Sequence, residues 1–256
     1  MSDDGSSLFD MHSHLGFTAD ALRIQQQAAA RGIGLFVVTV DLGEYGRVAP
    51  LFAEAETLRV GVGLHPWWVA DGRCGEAEVS LFEDYAATTP FIGEVGLDFS
   101  RRTRASREDQ VRAFDRVASS CAAGGKVVSV HAVAAAGVVM DILDERRVFA
   151  DNAVIFHWFS GSSDDLQRAL KRGCYLSVNR RMLASKRGRE YVKATSPEHL
   201  LLETDEPSRA GEPYSCDALE DALRETLMQT AHIKGVDADE FASLIASTGK
   251  RLLALR

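Results

Sequence analysis

The stretch Phe91-Ile92-Gly93-Glu94-Val95-Gly96-Leu97-Asp98 is an apolar run with a carboxylate set inside it. Its apolar residues fall on both side-chain parities, which predicts a strand covered on both faces, as in a parallel sheet. An unpaired charge at Glu94 in such a strand would carry a large desolvation cost, so it calls for a cation or an arginine partner. Working outward, comparable runs recur at 8–10, 35–40, 60–64, 127–130, 154–156, 174–178 and 200–202, which with 91–97 makes eight candidate strands. Amphipathic patterns predict helices at 19–31, 107–123, 135–147 and 164–172, with 216–232 and 237–255 as terminal helices. Gly32, Gly124 and Gly173 stand where helix stops are expected. Repeated βα units without a linker or low-complexity segment predict an α/β protein: a single (β/α)₈ TIM-barrel domain over 1–256 with C-terminal helices.

A doubly wound open sheet would show the same alternation, so the polar residues decide. His12, His14, His65, Glu94, His131, His157, Glu203 and Asp205 all fall at or just beyond the C-terminal ends of candidate strands. In a closed barrel those ends converge on one mouth, where barrel enzymes keep their chemistry. In Asp10-Met11-His12-Ser13-His14 the two imidazoles lie two apart on a strand and share a face, as a common metal requires; the alternative is a pair of surface histidines. His131 ends the run 127–130 and His157 ends 154–156. A lone strand-end histidine is usually structural, but ligand-type histidines on several strands point to metal, with Glu94 as a bridging carboxylate.

Asp205, in Leu202-Glu203-Thr204-Asp205-Glu206-Pro207, is expected to share a strand face with Glu203, or else to be a turn residue before proline. His65 precedes Pro66-Trp67-Trp68 and is assigned to substrate or supporting contacts rather than to metal. Trp67, Trp68 and Trp158 are candidates for stacking on bases or for packing. Arg101, Arg102, Arg104 and Arg107 follow the fourth run; Arg180, Arg181, Lys186, Arg187 and Arg189 follow the seventh. Both clusters are candidate phosphate contacts, Arg101 and Arg180 first among them, or alternatively solvated helix faces.

With 46% hydrophobic and 26% charged residues, the composition is that of a globular protein with a sizeable core. The cysteines Cys74, Cys121, Cys174 and Cys216 form no CxxC pair, which argues against a disulfide framework or thiolate zinc site and suggests a reducing cytoplasm. The first residues lack a basic and apolar leader, and no apolar run approaches the ~20 residues of a membrane span, so a cytoplasmic protein without membrane contact is expected. A formal charge of −8 argues against coating nucleic acid through a broad basic surface. It leaves open a nuclease, in which cations and a few arginines hold the phosphates near the cleavage point.

Taken in order, DMHSH, GLHPW, IGEVGLD, the strand-end His131, FHWFSG and ETDEP resemble the TatD family of metal-dependent deoxyribonucleases over nearly the whole chain. The resemblance implies a (β/α)₈ barrel and two divalent metal ions, Zn²⁺, Mn²⁺ or Mg²⁺. It implies His12, His14, Glu94 and Asp205 around one ion, and Glu94, His131 and His157 around the other. Asp205 would also act in proton transfer, His65 and Glu203 would lie near the substrate phosphate, and DNA would be trimmed from its 3′ end. The chain departs from the pattern at Gly16, where many members are acidic, and at Ala132-Val133, where Ser-Arg is usual. HWFSG with SVNRRMLASKRGR downstream is similar to TatD-like proteins of bacterial anti-phage (Qat-type) gene clusters, which implies defence-system protein partners. Two rivals remain: an amidohydrolase-type enzyme for small amides, esters or lactones, disfavoured by the absence of a lysine in 91–98, and a weakly catalytic binding subunit, motivated by the substituted arginine position.

Overall fold

The structure is a computed structural model and describes residues 8–255. Strands β1 (Phe9–Ser13), β2 (Gly34–Val38), β3 (Leu58–Leu64), β4 (Phe91–Asp98), β5 (Val127–Val133), β6 (Ala153–His157), β7 (Tyr175–Val178) and β8 (Leu200–Leu202) follow one another in chain order in one eight-stranded sheet. Every register defined between neighbours is parallel. Helices alternate with the strands: α1 (Ala21–Ala30), α2 (Leu42–Leu51), α3 (Pro66–Ala70), α4 (Glu76–Thr88), α5 (Arg107–Ser120), α6 (Ala136–Glu145), α7 (Ser163–Lys171), α8 (Arg180–Ala184), α9 (Lys186–Ala194), α10 (Cys216–Lys234) and α11 (Ala238–Leu253). This is the (β/α)₈ barrel class with C-terminal helices that the alternation of runs predicts.

The chain divides into two compact units. The first takes the described residues up to Val37, then Leu51–Arg59, then the chain from Leu176 on. There β1 pairs with β2 through Phe9↔Gly34 and Asp10↔Leu35. The Phe9 ring fills the space at Gly34 and Gly249, where an added Cβ would lie 2.4 Å from it in each case. The chain leaving β8 returns alongside β1: Asp205 N donates to His12 O at 2.9 Å and His14 N to Glu206 O at 3.0 Å. Arg31, at the end of α1, reaches Asp217 and Glu220 of α10 at 2.6 and 2.9 Å.

The second unit takes Val38–Pro50 and Val60–Tyr175. Its core includes the fully buried Ile92, Val95, Val130 and Phe156, alternating along strands that are apolar on both faces. Close strand contact depends on small residues: a Cβ at Gly96, whose φ is +144°, would meet His131 O at 2.0 Å. That approach sets the register Gly96↔His131, which brings the functional ends of β4 and β5 side by side.

Three differences from the sequence reading have physical causes. The first strand is 9–13 rather than 8–10, because the polar residues Asp10 and His12 are themselves buried members of the ladder. Helices α2, α3, α4, α8 and α9 were not anticipated; α2 carries Gly43, Gly46 and Pro50, all poor helix formers, and tertiary packing overrides them. Finally, β8 ends at Leu202, so Glu203 and Asp205 do not share a strand face as expected.

Candidate metal centre

In the second unit, three buried imidazoles converge on one carboxylate oxygen. Glu94 Oε1 lies 2.7 Å from His131 Nδ1, 2.9 Å from His157 Nε2 and 3.2 Å from His65 Nε2. His131 Nδ1 and His157 Nε2 are themselves 3.2 Å apart. Glu94 is 2% exposed, within strand β4; His131 is on β5 and His157 ends β6. One carboxylate oxygen ringed by imidazole nitrogens from separate segments is a donor set suited to a divalent cation, and His65, Glu94 and His131 place ligand atoms within 4.8 Å of one another.

Asp98, at the end of β4, supports this group. Its Oδ2 accepts from Trp67 Nε1 at 2.6 Å and lies 3.3 Å from His131 Nε2. Its Oδ1 accepts from Ser100 N at 2.7 Å and Thr103 Oγ1 at 3.0 Å. Gln110 of α5 fixes the backbone, accepting from Asp98 N at 2.8 Å and donating to Asp98 O at 2.9 Å. Burial pushes the Asp98 carboxyl up, but the hydrogen bonds from His131, Trp67 and Ser100 outweigh it and hold the group well below the usual carboxylate range. For His131, burial pulls the imidazole down, and the facing Asp98 and Glu94 carboxylates more than offset it, raising the group.

His65 caps α3: its Nδ1 accepts from Trp67 N at 3.1 Å, with Pro66 at the first helical position. The tryptophans are anchored by their indole N–H groups, Trp67 to Asp98 and Trp68 to Asp41 Oδ2 at 2.9 Å. Arginines cover their faces, Arg102 over Trp67 at 4.9 Å and Arg73 over Trp68 at 3.9 Å.

In the first unit, His12 Nε2 and His14 Nε2 lie 3.8 and 3.4 Å from Asp205 Oδ1, so the two histidines and the aspartate do come together. Asp205 sits at φ +56°, a left-handed conformation that turns its side chain back toward β1. Asp10 ties the two segments: it accepts from Thr204 Oγ1 at 2.5 Å, Thr204 N at 3.0 Å and His12 N at 3.2 Å. Burial dominates the Asp10 carboxyl and, against those hydrogen bonds, pushes it up to about 8. Glu203 faces elsewhere: it is buried and accepts from Asn179 Nδ2 at 2.7 Å and from the Ser177 hydroxyl.

Arg180 and Arg181, on α8, both reach Glu206 Oε1, at 2.8 and 3.2 Å, and Arg181 Nη1 lies 4.0 Å from Asp205 Oδ2. The other cluster is more dispersed: Arg101 is exposed in the connection after β4, and Arg107 packs over Phe99 at 4.5 Å. Sequence reasoning gave no role to Asp98, Asp10, Thr204 or Glu206. Asp98 had a signal, an acid two residues past Gly96 at a strand end, but its partners lie in other segments.

The family described as TatD related DNase matches residues 9–254. The chain belongs to that family. The 3′-5′ ssDNA/RNA exonuclease TatD of Citrobacter rodentium (strain ICC168) is 28% identical over 262 residues, spanning 93% of this chain and 94% of its own length. The uncharacterized metal-dependent hydrolase YabD of Bacillus subtilis (strain 168) is 25% identical over 257 residues, spanning 97% and 99%. The crystal structure of YJJV, a TatD homologue from Escherichia coli K12, shares the fold with a TM-score of 0.75 at 20% identity, covering 97% of this chain and 98% of that one. The TatD-family chain is thus a metal-dependent hydrolase acting on ester bonds. Among the described residues, no helix of this TatD-family member is long and apolar enough to cross a membrane.

Proposed function

We propose that the chain is a deoxyribonuclease that trims DNA from its 3′ end at a centre of two divalent cations. His12, His14, Glu94 and Asp205 would hold one cation, and Glu94, His131 and His157 the other, with Glu94 between them. The observation that carries this reading is the convergence of buried imidazole nitrogens on Glu94 Oε1, an arrangement that leaves a buried carboxylate and several ring nitrogens matched to cations. Imidazole and carboxylate donors suit Zn²⁺ or Mn²⁺ and tolerate Mg²⁺. When bound, such ions supply Lewis acidity to the scissile phosphate and make water acidic enough to act as a nucleophile near neutral pH.

The chain's own groups do the rest. Asp205 orients the attacking water and takes its proton on a carboxylate oxygen, helped by the turn that aims it at His12 and His14. Arg180 and Arg181, held by Glu206 beside Asp205, offer their guanidiniums to phosphoryl oxygens. His65 and Arg101 would contact substrate phosphate, as would Glu203, whose carboxylate is held by Ser177 and Asn179. We place the enzyme in the cytoplasm, where its buried free cysteines Cys74, Cys121, Cys174 and Cys216 suit a reducing medium. The basic segment after β7 supports an assignment to the anti-phage branch, with partner proteins of a defence system.

The test is to incubate the purified protein with end-labelled single-stranded DNA and Zn²⁺, Mn²⁺ or Mg²⁺, beside a panel of small esters and amides. Shortening of DNA from the 3′ end, abolished in Glu94→Gln, is the expected result. Turnover of esters or amides with intact DNA would overturn the nuclease reading.

A further inference from the structure

Two neighbouring tryptophans after β3 are built on one plan: an indole N–H held by a carboxylate, and a guanidinium laid over the ring. Trp67 donates to Asp98 Oδ2 at 2.6 Å and carries Arg102 at 4.9 Å from its ring centroid. Trp68 donates to Asp41 Oδ2 at 2.9 Å and carries Arg73 at 3.9 Å. The two arginines differ in charge balance. Arg73 is bound to Asp71 Oδ2 through Nη2 at 2.5 Å and Nε at 2.8 Å, whereas Arg102 makes no ion pair among the described residues. Asp71 lies within the field of Arg102, but both its carboxylate oxygens are engaged by Arg73. We propose that Arg102, seated on Trp67, is the platform on which an unpaired nucleobase flanking the scissile phosphate stacks. This rests on the nuclease reading above and goes beyond it, naming the residue that takes the base and restricting the substrate to strands with an unpaired end.

The platform stands beside the imidazoles that face Glu94. The Trp67 ring centroid lies 5.1 Å from that of His65 and 6.4 Å from that of His131, with ring planes crossing at 78° and 73°. The indole is fixed there at two points. Trp67 N donates to His65 Nδ1 at 3.1 Å, and Nε1 donates to Asp98, whose other oxygen is occupied by Ser100 and Thr103. Trp67 is half-buried and Arg102 exposed, so the pile runs outward to solvent, indole first and guanidinium second. A base on the guanidinium is held one side chain away from the imidazoles, close enough for the phosphate of the same nucleotide to reach the cluster around Glu94.

The chemistry selects a base over a bare phosphate. A guanidinium is planar, delocalised and weakly hydrated, and nucleobases stack on its plane as they do on aromatic rings. Attraction to the indole ring ties down one face of Arg102 and leaves the other for a ligand. A phosphate contact would need only a charge on a flexible stem, for which neither the plane nor the indole beneath it is required. Every base has a π-face, so the platform reads no sequence; bases inside a duplex are already stacked, so it takes only unpaired ends.

The test follows cleavage of 5′-labelled single-stranded DNA with Mn²⁺, on a normal strand and on one whose last two nucleotides are abasic. Arg102→Ala should raise KM about 10-fold on the normal strand, with kcat within about twofold and metal content as in the parent. Loss of the two bases should raise the parent's KM by a similar factor, and Arg102→Ala should add nothing further on the abasic strand. Arg102→Lys keeps the charge and loses the plane, so it should behave as Arg102→Ala. A normal-strand KM within about twofold of the parent, an equal rise on both strands, or rescue by lysine would each overturn the proposal. Should the parent leave DNA intact with every metal, the nuclease reading fails, and fluorescence anisotropy of the same two strands on metal-free protein decides the platform. The parent should then prefer the strand with bases about 10-fold and Arg102→Ala should not; equal affinities in the parent would overturn it.

Discussion

Glu94 carries its charge at a position 2% exposed, where only cationic or hydrogen-donating partners can hold it. Glu94→Gln keeps the volume and removes the charge, so metal content by elemental analysis should fall by more than the ~10–100-fold typical of a supporting partner, and cleavage should fall with it. Asp10 makes a separate prediction. Its carboxyl is raised by burial to about 8, so in the metal-free protein it remains protonated while the unfolded chain ionises. Its stabilising contribution is complete below the unfolded value near 3.8 and is lost as pH rises through about 8. Metal-free Asp10→Asn should therefore show a flatter dependence of Tm on pH across that window, and an unchanged slope would refute the assignment. At this scale the candidate ligands were the readable part: His12 and His14 by their spacing, Glu94 by its apolar setting, His131 and His157 by strand-end position. Asp98 was given no role and Trp67 was read only as a stacking or packing candidate, because the contact that joins them spans 31 residues.

Strands β4 and β5 fix the site's register at Gly96, where φ is +144° and His131 O fills the place of a side chain. Gly96→Ala should cost more than about 2 kcal/mol in denaturant unfolding and reduce metal content, since His131 must move with the strand. Helix α8 predicts a different phenotype. Arg181→Ala, beside Asp205 and held by Glu206, should raise KM for DNA about 10-fold, the worth of one charge-assisted contact, with metal content unchanged. The strands were legible because each is a short apolar run with a polar end. Helices α8 and α9 were not, because their basic residues read equally as a loop, and their start depends on Asn179 and Ser185 accepting from Met182 N and Gly188 N. The end of β8 was misjudged for a related reason: alternation beyond Leu202 implies a shared face, whereas the left-handed turn at Asp205 sends that side chain to β1 and leaves Glu203 with β7.

Across the whole molecule, a formal charge of −8 confines attraction for DNA to a few cationic points. The logarithm of kcat/KM should therefore fall with the logarithm of salt concentration at a slope shallower than about −3, in contrast to proteins that neutralise many phosphates. A steep slope would place the contacts elsewhere on the surface. The fold class was readable from the count and order of the runs, while the division into two units was not, since it depends on which distant segments pack together. That division has a temporal consequence. Asp10 and Thr204 are hydrogen-bonded across 194 residues of chain, whereas every member of the Glu94 cluster falls between His65 and His157. On a translating ribosome every member of the Glu94 cluster emerges before Asp205 is made, so His12 and His14 are separated from their carboxylate partner by the longest wait.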